Sequence, residues 1–396
     1  MYTYAPSGKA NTRIEVADVL RGLAIAGIVL IHFIEHMNFY MFPQPSSEFM
    51  GKVDDLVWDG VFSLLAGKMY AIFALLFGLS FFIQHDNQAN RGVDFRPRFA
   101  WRMLLLMMLG IFDLCFYNGD ILFVYAVCGL IVLPLIRCSD RVLAAVALVL
   151  ALQPVELVCM VYGILNPEAA PFSLGSGKLF GALYPALAGG SFPEVAAAGV
   201  RYGLPINILW AIENGRFTQN IMLFLAGILL GRRRMFYNEG DNLSFWKRVC
   251  WIALAAWVVL AQAYRYLPQL FDAPMARNSA STLLNMWKNF ATMSFYVSGV
   301  VLLFYRTRCR KALLVMAPYG RMSLTNYLGQ SIVGALLFYG FGLSLFDDCG
   351  DTVSFLMGAA FVVLQVLFST WWLKGHKRGP FEQLWSSLTW IGARKD

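Results

Sequence analysis

The stretch that decides the fold spans residues 14–36 and reads IEVADVLRGLAIAGIVLIHFIEH. Charged residues lie only near its two ends, and the apolar run between them has about the 20-residue length that a helix needs to cross a bilayer. No small-residue cleavage site follows the run, so we expect a retained membrane helix and not a secretory signal peptide.

The composition of the 396-residue chain is that of a membrane protein. Hydrophobic residues make up 58% and charged residues 14%, whereas ordinary soluble domains contain about 25% charged residues. The net charge of +8 lies mainly in the connections between apolar stretches, so we expect no nucleic-acid partner. The seven cysteines form no CxxC pair and mostly lie in apolar segments, which predicts neither a disulfide framework nor a zinc knuckle.

Ten apolar segments approach spanning length, and we predict an all-α polytopic membrane protein with about ten transmembrane helices. Basic connections alternate with acidic ones, and the positive-inside rule makes the basic set cytoplasmic, with both termini on that side. The segments lie near 14–36, 58–84, 99–117, 120–136, 141–164, 217–232, 246–267, 281–305, 321–346 and 351–373. The basic connections contain Lys9 and Arg13 and the basic residues of 91–98, 137–141, 232–248, 306–311 and 374–378.

We expect one integral membrane domain over residues 1–396. Its N-terminal part, 1–164, contains five of the helices, and its C-terminal part, 217–396, contains the other five. The proline-rich stretch 165–216 between them is only moderately apolar. It is either an outer-side, partly amphipathic segment or a re-entrant one, which needs protein or a water-filled cavity around its backbone.

Ionisable residues within the apolar segments are few, and each requires a partner or a polar cavity. Arg21 and His32 share a face of the first helix, since 11 positions correspond to three turns plus about 20°. His36 extends this face by one turn. This polar face of the helix predicts a protein-lined cavity. The plainer alternatives are that Asp18 and Arg21 form a pair that anchors the helix, and that the histidines serve only in packing.

A polar pocket is predicted in the outer half of the membrane. Lys68 belongs to it if it pairs with a carboxylate, whereas it could instead extend alone to the interface. The group expected there comprises His32, Glu35, Lys68, Asp113, Asn118 and Asp120.

Residues 32–36 also match the inverted zincin motif H-x-x-E-H, in which two histidines bind zinc and the glutamate is the base. The chain has only four histidines and no third ligand is indicated. A zinc metallopeptidase is therefore a lesser alternative, and we expect no metal.

Five ordered motifs resemble those of the YeiB-like family, whose C-terminal part is the domain of unknown function 418. The resemblance implies a place among transmembrane acyltransferases, beside the acyltransferase type 3 proteins and the lysosomal heparan glucosaminide acetyltransferase. Those proteins pass an acyl group from cytosolic acyl-CoA to a sugar across the membrane. The motifs lie at residues 13–32, 67–78, 118–129, 320–331 and 378–385.

The resemblance supplies two candidates for the catalytic imidazole. Type 3 proteins have Arg-Gly followed by a His 11 residues after the Arg, as Arg21 and His32 are here, although many YeiB-like sequences have Asn at that position. The resembling His of the heparan enzyme lies further into the outer loop, which makes His36 the second candidate.

The expected function is transfer of an acyl (acetyl) group from acyl-CoA to a hydroxyl or amine of a glycan or envelope component. His32 or His36 would be the base, oriented by Glu35 or Asp120, and guanidinium groups suit the CoA phosphates. The alternatives are that the arginines only set topology and that polar residues of 326–330 only bridge helices. The candidates for donor binding are Arg21, Lys68, Arg98, Arg102, Arg321, Asn326, Tyr327, Gln330 and Arg378.

Other functional classes fit the same composition. A transporter for a small solute would also use buried charges, and an inactive scaffold would bind lipid or a partner. The partners expected for the enzyme are membrane lipid, acyl-CoA and the acceptor, with a homodimer left open. We expect the bacterial cytoplasmic (inner) membrane as its location.

Overall fold

The first helix, α1 (Glu15–Ile34), lies inside a helical bundle and is the most buried of the six apolar helical stretches of spanning length. The computed structural model describes Gly8 and residues 11–392, and every regular element within them is a helix. Lys9, one of the basic residues of the predicted topology, lies outside the described residues.

The α-helices that follow cover most of the described chain. They are α2 (Glu48–Leu64), α3 (Met69–Ala89), α4 (Arg96–Asp113), α5 (Leu122–Val132), α6 (Asp140–Ala151), α7 (Pro154–Leu165), α8 (Ser176–Gly189), α9 (Phe192–Ala198), α10 (Leu204–Glu213), α11 (Arg216–Arg232), α12 (Asn242–Tyr266), α13 (Pro274–Arg306), α14 (Arg310–Leu313), α15 (Ala317–Arg321), α16 (Ser323–Phe338), α17 (Asp351–Gly375) and α18 (Pro380–Thr389).

Six helical stretches of the described chain are long and apolar enough to cross a membrane, which identifies an integral membrane protein and confirms the all-helical class. All ten predicted segments are largely helical, but the others are shorter, less apolar or more charged. The stretch predicted as an outer-side or re-entrant segment contains one of the six. The six are Glu15–Ile34, Glu48–Ala89, Asp140–Leu165, Phe192–Glu213, Asn242–Leu270 and Asp351–Gly375.

Two segments predicted as single helices are interrupted. Residues 58–84 divide into α2 and α3 at Gly67, which has φ +81°. Residues 141–164 divide into α6 and α7 before Pro154, where Gln153 has φ +53°. Both segments are largely apolar on either side of the break, and the backbone requirements of Gly67 and Pro154 are the sequence signals that reveal it.

Close backbone contacts hold α3 against α11 and α1 against α15. A Cβ added at Gly78 would overlap the carbonyl oxygen of Phe224, and one added at Gly227 would overlap that of Leu75. A Cβ added at Gly320 would likewise overlap the carbonyl oxygen of Asp18. Small residues allow this approach, and van der Waals packing is a main source of helix association in lipid.

Basic connections contact one another and the start of α1 at one end of the bundle, which we call the basic end: Arg310 pairs with Glu15, Arg234 donates to Asn11, and Arg321 donates to the carbonyl of Lys377. Helix α1 begins there and ends at the opposite, far end.

The short helix α18 is fastened at the basic end by Glu382, which accepts hydrogen bonds from the N–H groups of Leu324 (2.7 Å) and Thr325 (3.1 Å) at the start of α16. Burial raises the pKa of Glu382, although these bonds oppose the change. Arg98 donates to the carbonyls of Thr389 and Ile391, both at 3.0 Å, at the other end of α18.

We predict that Gly78→Ala destabilises the bundle by about 1–3 kcal/mol, as overpacking does, because the new methyl group overlaps the α11 backbone. Gly299→Ala is the matched control, since a Cβ at this position in α13 meets nothing within 4 Å. Thermal unfolding of the purified proteins in detergent measures the difference. Equal melting temperatures would contradict the packing argument.

Candidate functional site

A cavity of about 260 Å³ opens among α1, α3, α4, α5, α16 and α18. We call it the inner cavity. Its walls are largely aromatic, and its polar lining comes from five helices. The polar and charged lining residues are Arg21, Ser80, Gln84, Arg102, Tyr125, Ser323 and Tyr327.

Two guanidinium groups line the inner cavity. Arg21 donates to Asp18 Oδ1 (2.8 Å) and to Ser80 Oγ (2.7 Å), so the Asp18–Arg21 pair, which was the plainer alternative, is present. Arg102 lies 3.4 Å from the ring centroid of Trp385 and has no ion pair within the described residues. The cavity is thus lined by one neutralised cation and one that lacks a counter-charge.

His32 lies further along α1, towards the far end. Its Nδ1 is buried and has no hydrogen-bond partner within the part of the chain that the structure describes. The ring centroid lies 4.5 Å from that of Tyr117 and 6.4 Å, edge to face, from that of Tyr327. Since Tyr327 also lines the inner cavity, one side chain separates the cavity from the imidazole.

A polar relay continues from Tyr327 into the bundle. Its hydroxyl accepts the N–H of Ile121 (3.1 Å) and contacts the Asp120 carboxyl group, which in turn contacts Asp113. Asp113 Oδ2 accepts the hydroxyl of Ser331 at 3.1 Å. Asp120 also caps α5, so its position is fixed by the backbone.

His36 is held by packing and hydrogen bonds. Its Nδ1 donates to the carbonyl of Met41 (2.8 Å), its Nε2 accepts the hydroxyl of Ser354 (2.9 Å), and the ring stacks on Phe338. The carbonyl can only accept, which fixes this tautomer. Both ring nitrogens of His36 are therefore occupied, whereas Nδ1 of His32 is not.

The zincin geometry is absent. Helix α1 ends at Ile34, and His36 follows in the left-handed region with φ +46°, so the two histidines do not lie one turn apart on a single helix. No group of three His, Cys, Asp or Glu within the described residues is arranged to bind a metal.

Glu35 and Lys68 form no recorded hydrogen bond or ion pair with either histidine within the described residues. Glu35 accepts the hydroxyl of Tyr40 at 2.7 Å and is within electrostatic range of Arg216. Lys68 donates to the carbonyl of Ser63 (2.8 Å) at the far end of the bundle and does not line the inner cavity.

The other candidates for donor binding surround α16 and α18 but lie outside the lining of the inner cavity. Arg321 donates to the carbonyl of Lys377 (3.1 Å) and Arg378 donates to Ser386 Oγ. Asn326 bridges helices, donating to Tyr319 O (3.1 Å) and Ser369 Oγ (3.0 Å). Gln330 is fully buried, and neither amide atom has a partner within the described chain.

Several residues of the site were not singled out from the sequence. Ser80 and Gln84 lie four positions apart on α3, and this polar pair at helical spacing in an apolar segment was the available signal. Trp385 lay in a recognised motif without a role, and Tyr117 gave no signal of its own.

Comparison with known proteins divides the chain into two matched regions. Residues 230–392 match the family described as "Protein of unknown function (DUF418)". Residues 13–166 match the family described as "Heparan-alpha-glucosaminide N-acetyltransferase, catalytic". The C-terminal region of the chain therefore belongs to the YeiB-like DUF418 family.

Relatives of this YeiB-like chain extend over nearly its whole length. The uncharacterized protein YxaH of Bacillus subtilis is 28% identical over 96% of this chain and 95% of its own. The uncharacterized protein YeiB of Escherichia coli is 29% identical over 94% and 95%, respectively. An uncharacterized 39.9 kDa protein of Bacillus acidopullulyticus is 25% identical over 96% and 94%.

The inner cavity of this YeiB-like protein combines the two matched regions. Arg21, Arg102 and the neighbouring His32 come from the acetyltransferase-like region, whereas Tyr327 and Trp385 come from the DUF418 region. Neither region alone encloses the cavity.

Proposed function

We propose that this protein is a transmembrane acyltransferase that takes an acyl group from acyl-CoA at its basic end. The acceptor is a hydroxyl or amine at the far end, on a glycan or another envelope component. One observation carries the proposal: the inner cavity contains Arg21 and Arg102, and the side chain of Tyr327 connects it to the imidazole of His32.

The inner cavity suits the acyl-pantetheine arm of the donor. Aromatic walls accommodate a narrow, mostly apolar chain, and the guanidinium of Arg102 lacks a carboxylate partner and can bind a phosphate. Sites for whole ligands of drug size occupy about 300–1,000 Å³, so the nucleotide would remain outside the cavity. Arg321 and Arg378 lie at that end of the bundle.

The reaction needs a base and a leaving group. An acceptor hydroxyl gives its proton to a ring nitrogen of His32 as its oxygen bonds to the acyl carbon. The carbon–sulfur bond of the thioester then breaks, and the CoA thiolate takes up the proton from His32. Tyr327 is a positioning residue, since its ring contacts His32 and its hydroxyl is fixed by Ile121.

A carrier is the second candidate, favoured by the breaks between α2 and α3 and between α6 and α7. Discontinuous helices are typical of transporters. Consumption of acyl-CoA distinguishes the enzyme, whereas uptake of a solute without covalent change distinguishes the carrier.

The donor site is tested by binding. Arg102→Gln is expected to weaken acetyl-CoA binding about tenfold or more, because a charge-assisted phosphate contact is lost, and the difference should shrink in high salt. Arg308→Gln, at an exposed position of the same basic end, is the matched control. Isothermal titration in detergent measures both, and equal affinities would exclude Arg102 from the donor site.

The imidazole is tested by turnover. His32→Gln is expected to reduce release of CoA from radiolabelled acetyl-CoA by about 10²- to 10⁴-fold, as for other acid–base residues, while leaving the melting temperature nearly unchanged. CoA is quantified by mass spectrometry, which separates its thiol from protein cysteines.

His36→Gln is the companion variant. It should lower the melting temperature because Met41 and Ser354 lose their partner, and the folded fraction should keep its turnover. Full activity in His32→Gln together with inactivity in His36→Gln would transfer the role to His36.

The proposal includes an orientation: about ten spans, with the basic end and both termini on the cytoplasmic side of the bacterial inner membrane. Cysteines introduced as Asp55→Cys and Asp348→Cys should react with a membrane-impermeant maleimide in intact cells. The native Cys309, exposed at the basic end, should react only after permeabilisation. The reverse pattern would invert the orientation.

A further inference from the structure

A second concentration of charge lies at the far end of the bundle, outside the inner cavity. Lys68 is only 4% exposed, and its ammonium group is within electrostatic range of Arg216 and Lys288. These three residues, from α11, α13 and the turn before α3, form what we call the cationic cluster.

The cationic cluster is not neutralised by the described residues. None of its members forms an ion pair among those that the structure records. Arg216 lies 4.2 Å from the ring centroid of Tyr70, and Lys288 lies 3.9 Å from that of Tyr264. Glu35 is the nearby carboxylate identified for Arg216. Three cations with one carboxylate leave an excess positive charge, which is costly in a protein interior.

Unpartnered amide groups surround the same cluster. Gln219 and Asn220 are 1% and 0% exposed, and Gln219 Oε1 and both amide atoms of Asn220 lack partners within the described chain. They follow Arg216 by three and four positions on α11, so all three share one face of the helix. On the other side, Asn289 packs against Gly67, next to Lys68, and its Oδ1 is also unpartnered.

Such a group of orphaned polar atoms is a specific observation, because buried polar groups in native proteins almost always have a hydrogen-bond partner. Ammonium, guanidinium and amide groups together offer many N–H donors. A phosphate group provides the matching acceptor oxygens and a charge of about −1.5 to −2 as a monoester, which corresponds to the excess of the cluster.

We propose that the cationic cluster binds the phosphate group of the acyl acceptor. This rests on the proposed function and specifies its acceptor as a phosphate-bearing molecule that enters at the far end. Glu35 links the cationic cluster to His32, which it follows by three positions on the chain. It is within electrostatic range of Arg216 in the cluster and of Tyr117, whose ring packs on His32. A phosphate on the cluster is therefore connected to the proposed base through Glu35 and Tyr117.

The test measures binding without acyl-CoA. Native mass spectrometry of the full-length protein compares retention of phosphatidic acid, a lipid phosphate monoester, with that of phosphatidylcholine, and a thermal-shift titration uses soluble sn-glycerol 3-phosphate. Lys68→Gln and Lys288→Gln are each expected to weaken binding of the preferred probe about tenfold or more, and Lys68→Arg should retain it. Lys52→Gln is the matched control, since Lys52 is exposed and pairs with Glu48 on α2.

The two probes separate the sources of phosphate. Cluster-dependent binding of phosphatidic acid indicates a lipid acceptor, and cluster-dependent binding of glycerol 3-phosphate indicates a soluble one; either supports the proposal. Binding that is unchanged in both glutamine variants, or no binding of either probe by the wild type, overturns it. His32→Gln should bind the probe like the wild type, so a failure of catalysis is distinguishable from a failure of this site.

Discussion

The organising constraint is that a polar group inside this bundle must find its hydrogen-bond partner within the protein, because the interior offers almost no water. Many buried polar side chains satisfy this constraint by hydrogen bonding to a neighbouring helix. His36 holds the turn after α1 against α17, and Asn326 connects α15, α16 and α17. Because the hydrogen-bonding groups of these residues have partners, a structural role accounts for them. The residues that break the rule, such as His32 and Asn220, are the ones that need another explanation.

The rotation of α1 follows from its backbone contact with α15. Gly320 admits the carbonyl of Asp18, and Gly22 faces Met316 in the same way. This contact fixes which side of α1 faces the other helices. Arg21 then meets Ser80 of α3, and three turns later His32 meets Tyr117 and Tyr327. A glycine contact on one face thereby aligns a charge and an imidazole on another.

The sequence predicted the helical class and the Arg21–His32 face because both depend on local apolarity and helical spacing. It did not distinguish His32 from His36, since nothing in the pattern signals that three non-glycine residues, from His36 to Asn38, take positive φ. The sequence analysis also assigned Lys68 to binding of the acyl donor, because the position of a residue along a helix does not show which side chains will surround it. The cationic cluster depends on contacts among α3, α11 and α13, which are distant in sequence.

The two ends of the molecule differ in how their charges are placed. At the basic end, Arg98 and Arg321 are engaged with backbone carbonyls that position α18, and this leaves Arg102 between Trp385 and the inner cavity. At the far end Lys68 is buried and Arg216 and Lys288 are half-buried, and none of the three forms a recorded ion pair, although Lys68 donates to the carbonyl of Ser63. The positive-inside rule explains the charges at the basic end, because that rule concerns the connections between helices. It does not explain why Lys68, Arg216 and Lys288 gather beside unpartnered amides, an arrangement that suits an anionic ligand.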